Sequence, residues 1–269
     1  MSDTNMLTLQ GVFKTFNPGT VIEKAALTGV DLQLAKGDFI TVIGGNGAGK
    51  STMLNAIAGT FPIDKGKVII NGRDVTGLSE YKRASMLGRV FQDPMMGTAA
   101  TMNIDENLAL AYRRGQRRGL RWGITKTELA MYREKLAALE LGLENRMGSK
   151  VGLLSGGQRQ ALTLLMATLK KPDLLLLDEH TAALDPKTAA KVLSLTEQLI
   201  RENGLTAVMV THNMRDALAL GNRTIMMHEG HIILDLDAEA KKNATVEDLL
   251  NQFGKINGQQ LANDRMLLV

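Results

Sequence analysis

Residues 44 to 52 read GGNGAGKST, a glycine-rich run that ends in a lysine and two hydroxyls. The spacing from Gly44 to Ser51 is a glycine, four residues, then Gly-Lys-Ser, the pattern of a loop that cradles phosphates. Small residues at Gly44, Gly45, Asn46, Gly47, Ala48 and Gly49 let backbone N–H groups crowd an anion. The pattern expects Lys50 to reach β- and γ-phosphates and the Ser51 hydroxyl, with Thr52 beside it, to face Mg2+. The chemistry implied is binding of a nucleoside triphosphate, with ATP and Mg2+ as cofactors.

A second stretch, LLLLDEH at 174 to 180, supplies carboxylates. Four leucines predict a strand buried on both faces, ending where open α/β sheets bind ligands. Adjacent strand residues point to opposite sides, so Asp178 and Glu179 are expected to differ in role: Asp178 to Mg2+, Glu179 as general base toward water. The bland alternative is a solvated acidic turn. His212 closes LTAVMVTH, a further apolar run, and is read as a γ-phosphate contact. Gln92 in VFQDP is read either as a plain turn residue or as a ligand of Mg2+ or water that also acts as a hinge.

A third stretch is half a site. LSGGQ at 154 to 158 offers Ser155, Gly156, Gly157 and Gln158 at the start of an apolar helix, a place for an anion, yet has no lysine comparable to Lys50. It cannot be a second whole site, and a simple solution is that it serves another copy's nucleotide. A head-to-tail homodimer with two-fold symmetry lets the 44–51 loop of one copy face Ser155 and Gly157 of the other, with the nucleotide between them.

The elements that must hold these residues follow from periodicity. MLTLQGVFKTF alternates as a half-buried strand; FITVI runs as a buried strand into the glycines; STMLNAIAGT is a helix that stops at Gly59; GKVIINGRDVT is a hairpin with an Asn-Gly turn. From 95 to 150 the pattern turns helical, with KTELAMYREKLAALELGL a continuous helix. A helix then runs from 155 to Lys170, followed by the leucine strand, the helix KTAAKVLSLTEQLIREN, the strand ending in His212 and the pair RTIMMHEGHIILD. Alternating strands and helices predict an α/β fold with a parallel sheet. The expected organisation is a single domain over 1–269. Its core with a β subdomain takes 1–94 and 160–235, its helical subdomain 95–159, and a polar helical tail 236–269.

Composition narrows the class. The 269 residues contain no cysteine, which excludes disulfides and thiolate chemistry. The start MSDTNMLTLQ lacks a signal-peptide pattern, and no apolar run nears the ~20 residues of a membrane span. Net charge is +4, but RRGQRRGLRWGITK at 113–126 holds six basic residues and no acid, so the rest of the chain is slightly acidic. A local patch of this kind does not indicate nucleic acid as a partner. It reads as a solvated loop or as a contact for anionic lipid or an acidic protein.

Taken in order, GGNGAGKST, FQDP, LSGGQRQ, LLLLDEHTAALDP and VTHN resemble the ATP-binding subunit of an ABC transporter, over about residues 7 to 235. The resemblance implies a P-loop NTPase (RecA-like) core with an N-terminal antiparallel β subdomain and an inserted α-helical subdomain. It implies that Phe16 stacks on adenine, that Gln92 relays nucleotide state to a membrane partner, that Ser155 to Gln158 contact the opposite ATP, and that Asp185 in AALD crosses the dimer interface. Partners implied are integral membrane permease subunits and an extracytoplasmic solute-binding protein, with the chain peripheral at the cytoplasmic face of the cell membrane. Two departures stand out: His180 where proline is common, and LTLLMATL where the helix after the signature usually carries arginine. With the basic insertion they are similar to ATPases that partner permeases of the branched-chain amino-acid class, some relatives of which serve aromatic amino acids. Competing readings are an exporter or resistance ATPase, an ATPase driving a membrane complex that regulates cell-wall enzymes, and a soluble P-loop kinase. The kinase has no use for LSGGQ.

Overall fold

The computed structural model describes residues 5–116 and 123–257. Two compact units divide them: residues 84–204 form one, and the chain on either side forms the other.

The first unit carries two sheets. Strands β1 (Leu7–Phe16), β2 (Lys24–Leu34), β4 (Lys65–Ile70) and β5 (Arg73–Asp74) form an antiparallel sheet in the order β2-β1-β4-β5. The expected Asn-Gly hairpin joins β4 to β5, with Asn71 and Gly72 both at positive φ (49° and 73°), as a type I′ turn requires. Strand β3 (Phe39–Ile43) is buried along its whole length between β8 (Thr206–Val210) and β9 (Arg223–His228), both parallel to it. Covering on both faces is why FITVI and TAVMV are nearly continuous apolar runs, with Thr41 and Thr206 themselves buried. β10 (His231–Leu236) pairs antiparallel with β9.

Helix α1 (Lys50–Ala58) follows β3 and ends, as its sequence indicates, at Gly59 with φ 78°. A buried cation completes that end. Arg83, the last residue of α2 (Glu80–Arg83), is 2% exposed. It donates Nη1 to the carbonyls of Ala56 and Ile57 at 2.8 Å each, Nε to Leu78 at 2.9 Å and Nη2 to Thr76 at 3.0 Å. The positive charge thus meets the negative end of the helix whose other end is the phosphate loop. Burial lowers the Arg83 pKa from its ordinary value. Helices α7 (Met214–Ala219), α8 (Ala238–Asn243) and α9 (Val246–Asn257) complete the unit. The tail is less polar in role than expected: α9 buries Leu249 and Phe253 against Ile43, Met214, Ala217 and Met226.

The second unit pairs β6 (Leu87–Val90) parallel to β7 (Leu174–Asp178). Its helices are α3 (Ile104–Tyr112), α4 (Lys126–Ala137), α5 (Gly156–Thr168) and α6 (Pro186–Asn203). α4 is shorter than its sequence suggests. The helix ends at Ala137, and Glu140 turns left-handed (φ 53°), a reversal that lets Leu139 and Leu143 both be buried. α5 likewise ends at Thr168, two residues before Lys170.

The basic stretch is partly structural. Arg113 Nη2 donates to both carboxylate oxygens of Glu128 (2.9 and 3.0 Å), and Arg114 donates to the carbonyls of Ala167 and Lys170 at 3.3 and 3.1 Å. Those two arginines are committed to helix ends and not to a surface partner. Residues 117–122, with Arg117, Arg118 and Arg121, lie outside the described residues.

Replacing Arg83 by methionine keeps the volume but strands four carbonyls without their donor. The expected loss is about 3 kcal/mol, read as a fall in Tm of roughly 6–12 °C in a calorimetric scan. An unchanged Tm would show that the α1 terminus is satisfied in another way.

Candidate nucleotide site

The phosphate loop is shaped by backbone packed against backbone. Gly44, Gly47 and Gly49 have φ of 149°, 77° and 100°. A Cβ on Gly44 would overlap the Met227 carbonyl of β9, and one on Gly49 would stand 2.6 Å from the Ala26 carbonyl of β2. Between them, Gly230 N donates to Ala48 O at 3.0 Å. The loop is therefore held from both flanks, while Asn46 and Gly47 at its crest face solvent. No side chain caps the N-terminus of α1, the arrangement that suits an anion at that end. Lys50 is 5% exposed and folds back over the loop, donating Nζ to Gly44 O at 2.7 Å and Gly45 O at 3.1 Å. Ser51, exposed, and Thr52, half-buried, follow in the first turn.

Phe16 closes β1 and pairs in register with Lys24 of β2. Its ring meets Phe61 edge-on at 5.2 Å, and Lys14 Nζ lies 5.5 Å from each ring centre. Lys24 was not foreseen: its Nζ comes within 3.3 Å of where a Cβ on Gly47 would stand, so a second cation overlooks the loop. Only the β1–β2 register, which the intervening loop sets, reveals it.

His212 lies two residues beyond the end of β8, not at its last position. It still emerges at the edge where β3 ends, because Thr211 N donates to Val42 O at 3.1 Å. Asn213 fixes the turn by capping α7 through Arg215 N (2.9 Å) and Asp216 N (3.2 Å). The first unit thus gathers Phe16, residues 44–52 and His212.

The second unit gathers the rest. Val90 of β6 is the register partner of Leu177 of β7, so Gln92 and the pair Asp178–Glu179 leave neighbouring strands at the same end. Gln92 is exposed, just beyond Phe91, whose carbonyl accepts from Gln160 Nε2 of α5 at 3.1 Å. Gln160 is the second residue missed in the sequence; a polar side chain at a fully buried position of an apolar helix was the available signal. Asp178 ends β7, but Glu179 does not continue it. Glu179 sits at φ 45°, so strand alternation does not govern the two carboxylates; a turn does, closed by Ala182 N to Glu179 O at 3.0 Å. Positive φ at a non-glycine residue costs on the order of 1–2 kcal/mol, strain characteristic of functional sites. His180 next to it is wholly buried, and burial pushes its imidazole down to about 4.

Ser155 and Gln158 form a reciprocal cap at the head of α5: Gln158 N donates to Ser155 Oγ at 3.3 Å and Ser155 N to Gln158 Oε1 at 3.2 Å. Asp185 caps α6, accepting from Thr188 N at 3.1 Å; its bonds with Thr188 hold the carboxyl below the usual range. The two caps touch. A Cβ on Gly157 would overlap Thr188 Cγ2, and one on Gly156 would meet Leu184 at 3.4 Å. Ser155, Gly156, Gln158 and Asp185 therefore lie close together, with Gly157 buried against Thr188 between the caps. Among the described residues no cluster of three or more His, Cys, Asp or Glu could hold a metal ion.

A family model for ABC transporters matches residues 27–182. The chain belongs to the ABC transporter family. It is 41% identical over 253 residues to a tyrosine transport ATP-binding protein of Clostridioides difficile (strain R20291), covering 92% of this chain and 98% of the relative. It is 34% identical to a methionine import ATP-binding protein of Rhizobium johnstonii, covering 78% of this chain and 56% of that one. In structure it is similar to a dimeric ATP-binding cassette bound to ADP and Pi, with a TM-score of 0.73 and 32% identity, over 87% of this chain and 99% of the cassette. The fold is that of a P-loop NTPase with an antiparallel β subdomain, and the ABC ATPase binds and hydrolyses ATP. No helix among the described residues is long and apolar enough to cross a membrane.

The contact between the two caps predicts a paired effect. Gly157→Ala must displace Thr188, at a cost of about 1–3 kcal/mol of overpacking. Adding Thr188→Ser removes the obstructing methyl, and thermal unfolding of the double variant should return most of the loss. No recovery would mean that the caps are not packed as described.

Proposed function

We propose that this ABC ATPase powers an importer of amino acids, aromatic ones included, as a homodimer at the cytoplasmic face of the membrane. Its permease subunits resemble the branched-chain amino-acid class, and a solute-binding protein delivers the cargo. The observation that carries the reading is the 41% identity extending over 98% of a tyrosine transport ATP-binding protein. Residues 1–94 and 160–235 serve as core and β subdomain, 95–159 as helical subdomain and 236–269 as tail. Met95 and Met96, 51% and 67% exposed and separated from Gln92 only by Asp93 and Pro94, give the permease an apolar foothold near the residue that reports nucleotide state.

In this reading Phe16 stacks on adenine and Lys24 adds charge above the triphosphate. Residues 44–52 wrap the phosphates, with Lys50 exchanging its carbonyl partners for β- and γ-oxygens. Ser51, Gln92 and Asp178 offer hydroxyl, amide and carboxylate oxygens, the hard donors that suit Mg2+, which would neutralise phosphate charge. Glu179 accepts a proton from water as its oxygen bonds to the γ-phosphorus; the bond to the β-phosphate oxygen breaks, leaving ADP and phosphate. His212 donates to the γ-phosphate. Ser155 to Gln158 and Asp185, on two caps that touch, face the nucleotide of the opposite copy. ATP joins the dimer and hydrolysis releases it.

Two outcomes are expected. Glu179→Gln protein dimerises in light scattering when Mg-ATP is added and is monomeric without it; a monomer at saturating ATP contradicts the shared site. In cells lacking the native gene, wild-type chain restores uptake of labelled tyrosine and Lys50→Ala does not. Restoration by Lys50→Ala would remove ATP chemistry from the uptake, and no restoration by wild type would move the cargo to another solute.

A further inference from the structure

We propose that His180, acting through Thr196, is a positioning residue that holds the Glu179 carboxylate where it can accept the proton from water. This rests on reading Glu179 as the general base. The φ of 45° at Glu179 is uncommon for an L-residue and costs strain, which packing around the turn must offset. The turn bond from Ala182 N closes residues 179–182 locally. Histidine at 180 leaves its own φ free, as proline would not, and its buried side chain adds a restraint on the turn.

That side chain reaches α6. His180 is 2% exposed and its Nε2 lies 3.0 Å from Thr196 Oγ1, at a residue with no exposure at all. Thr196 Oγ1 also lies 2.8 Å from Val192 O, one turn back on the same helix. A carbonyl can only accept, and a hydroxyl has a single hydrogen, so Thr196 donates to Val192. Its oxygen then accepts from His180, and Nε2 carries the hydrogen. The relay runs one way, from the turn into a helix of 18 residues that buries Val192, Leu195 and Ile200. With no water to compete, this bond holds the turn more firmly than a surface bond would. Losing the acceptor leaves a buried N–H unpaired, and the turn with Glu179 shifts to satisfy it.

The test is steady-state ATP hydrolysis by the full chain carrying Thr196→Val, Thr196→Ser, His180→Phe, His180→Gln or Glu179→Gln. Thr196→Val and His180→Phe should lower kcat about 10- to 100-fold, the scale of a displaced catalytic group, while KM for ATP stays within about twofold. Thr196→Ser keeps the hydroxyl, and His180→Gln can place its Nε2–H near the same oxygen; both should recover most of kcat. Wild-type kcat in Thr196→Val, with Glu179→Gln inactive, overturns the positioning role and leaves Glu179 as base. Wild-type kcat in Glu179→Gln overturns both. Parallel losses of kcat, ATP affinity and Tm that serine and glutamine fail to rescue would reduce the pair to a structural contact and overturn the proposal. Should Thr196→Val not fold, the comparison of His180→Gln with His180→Phe reads the same bond.

Discussion

The site depends first on how closely the phosphate loop is gripped by the backbone of its neighbours. Gly44 lies against the Met227 carbonyl, Gly49 against the Ala26 carbonyl, and Ala48 O takes a hydrogen bond from Gly230 N. None of these contacts leaves space for a side chain at 44 or 49. The loop path is therefore fixed by the antiparallel sheet on one flank and the β9–β10 turn on the other. Backbone N–H groups held this way need little reorganisation to receive an anion, which is the physical content of preorganisation. The remaining features of the first unit support the same loop. β3 delivers it from a fully buried position, Arg83 satisfies the far end of the helix it opens, and α9 seals Ile43 just before Gly44.

In the second unit the candidate site residues sit on caps and turns at the ends of regular elements. Ser155 and Gln158 cap α5, Asp185 caps α6, and Glu179 occupies a strained turn beyond β7. Such positions combine a rigid support with backbone and side-chain groups directed outward. The Ser155–Gln158 pair shows how one set of residues can serve two purposes. It satisfies the helix end within the chain, and in the proposed dimer the same helix dipole would meet the opposite nucleotide. A cap built on Gly157 also lets Thr188 approach, linking the signature to the turn that carries Asp185.

What could be read in the sequence was local. The phosphate loop, the leucine strand ending in Asp178, the stop at Gly59 and the Asn71–Gly72 hairpin each depend on a few adjacent residues and were legible there. What could not be read depends on register or on distant partners. Lys24 meets the loop only because β2 pairs with β1 opposite Phe16. Gln160 and Arg83 are polar residues whose carbonyl partners lie 69 and up to 27 positions away. A left-handed turn at Glu179 replaces the strand alternation that the sequence suggests for the two carboxylates, and the positive φ of Glu140 follows an α4 shorter than its pattern. Arg113 and Arg114 read as part of a charged surface, yet they end helices.

The most direct test of the central claim is the affinity of the full chain for Mg-ATP by titration calorimetry, wild type against Gly49→Ala. The added Cβ would stand 2.6 Å from the Ala26 carbonyl at a residue with φ of 100°. If close backbone contact shapes the phosphate loop, binding falls by at least about tenfold, about 1.4 kcal/mol, while the protein still unfolds cooperatively. Equal affinity in the two proteins would contradict the account, because the loop would then hold its ligand without the packing described for it.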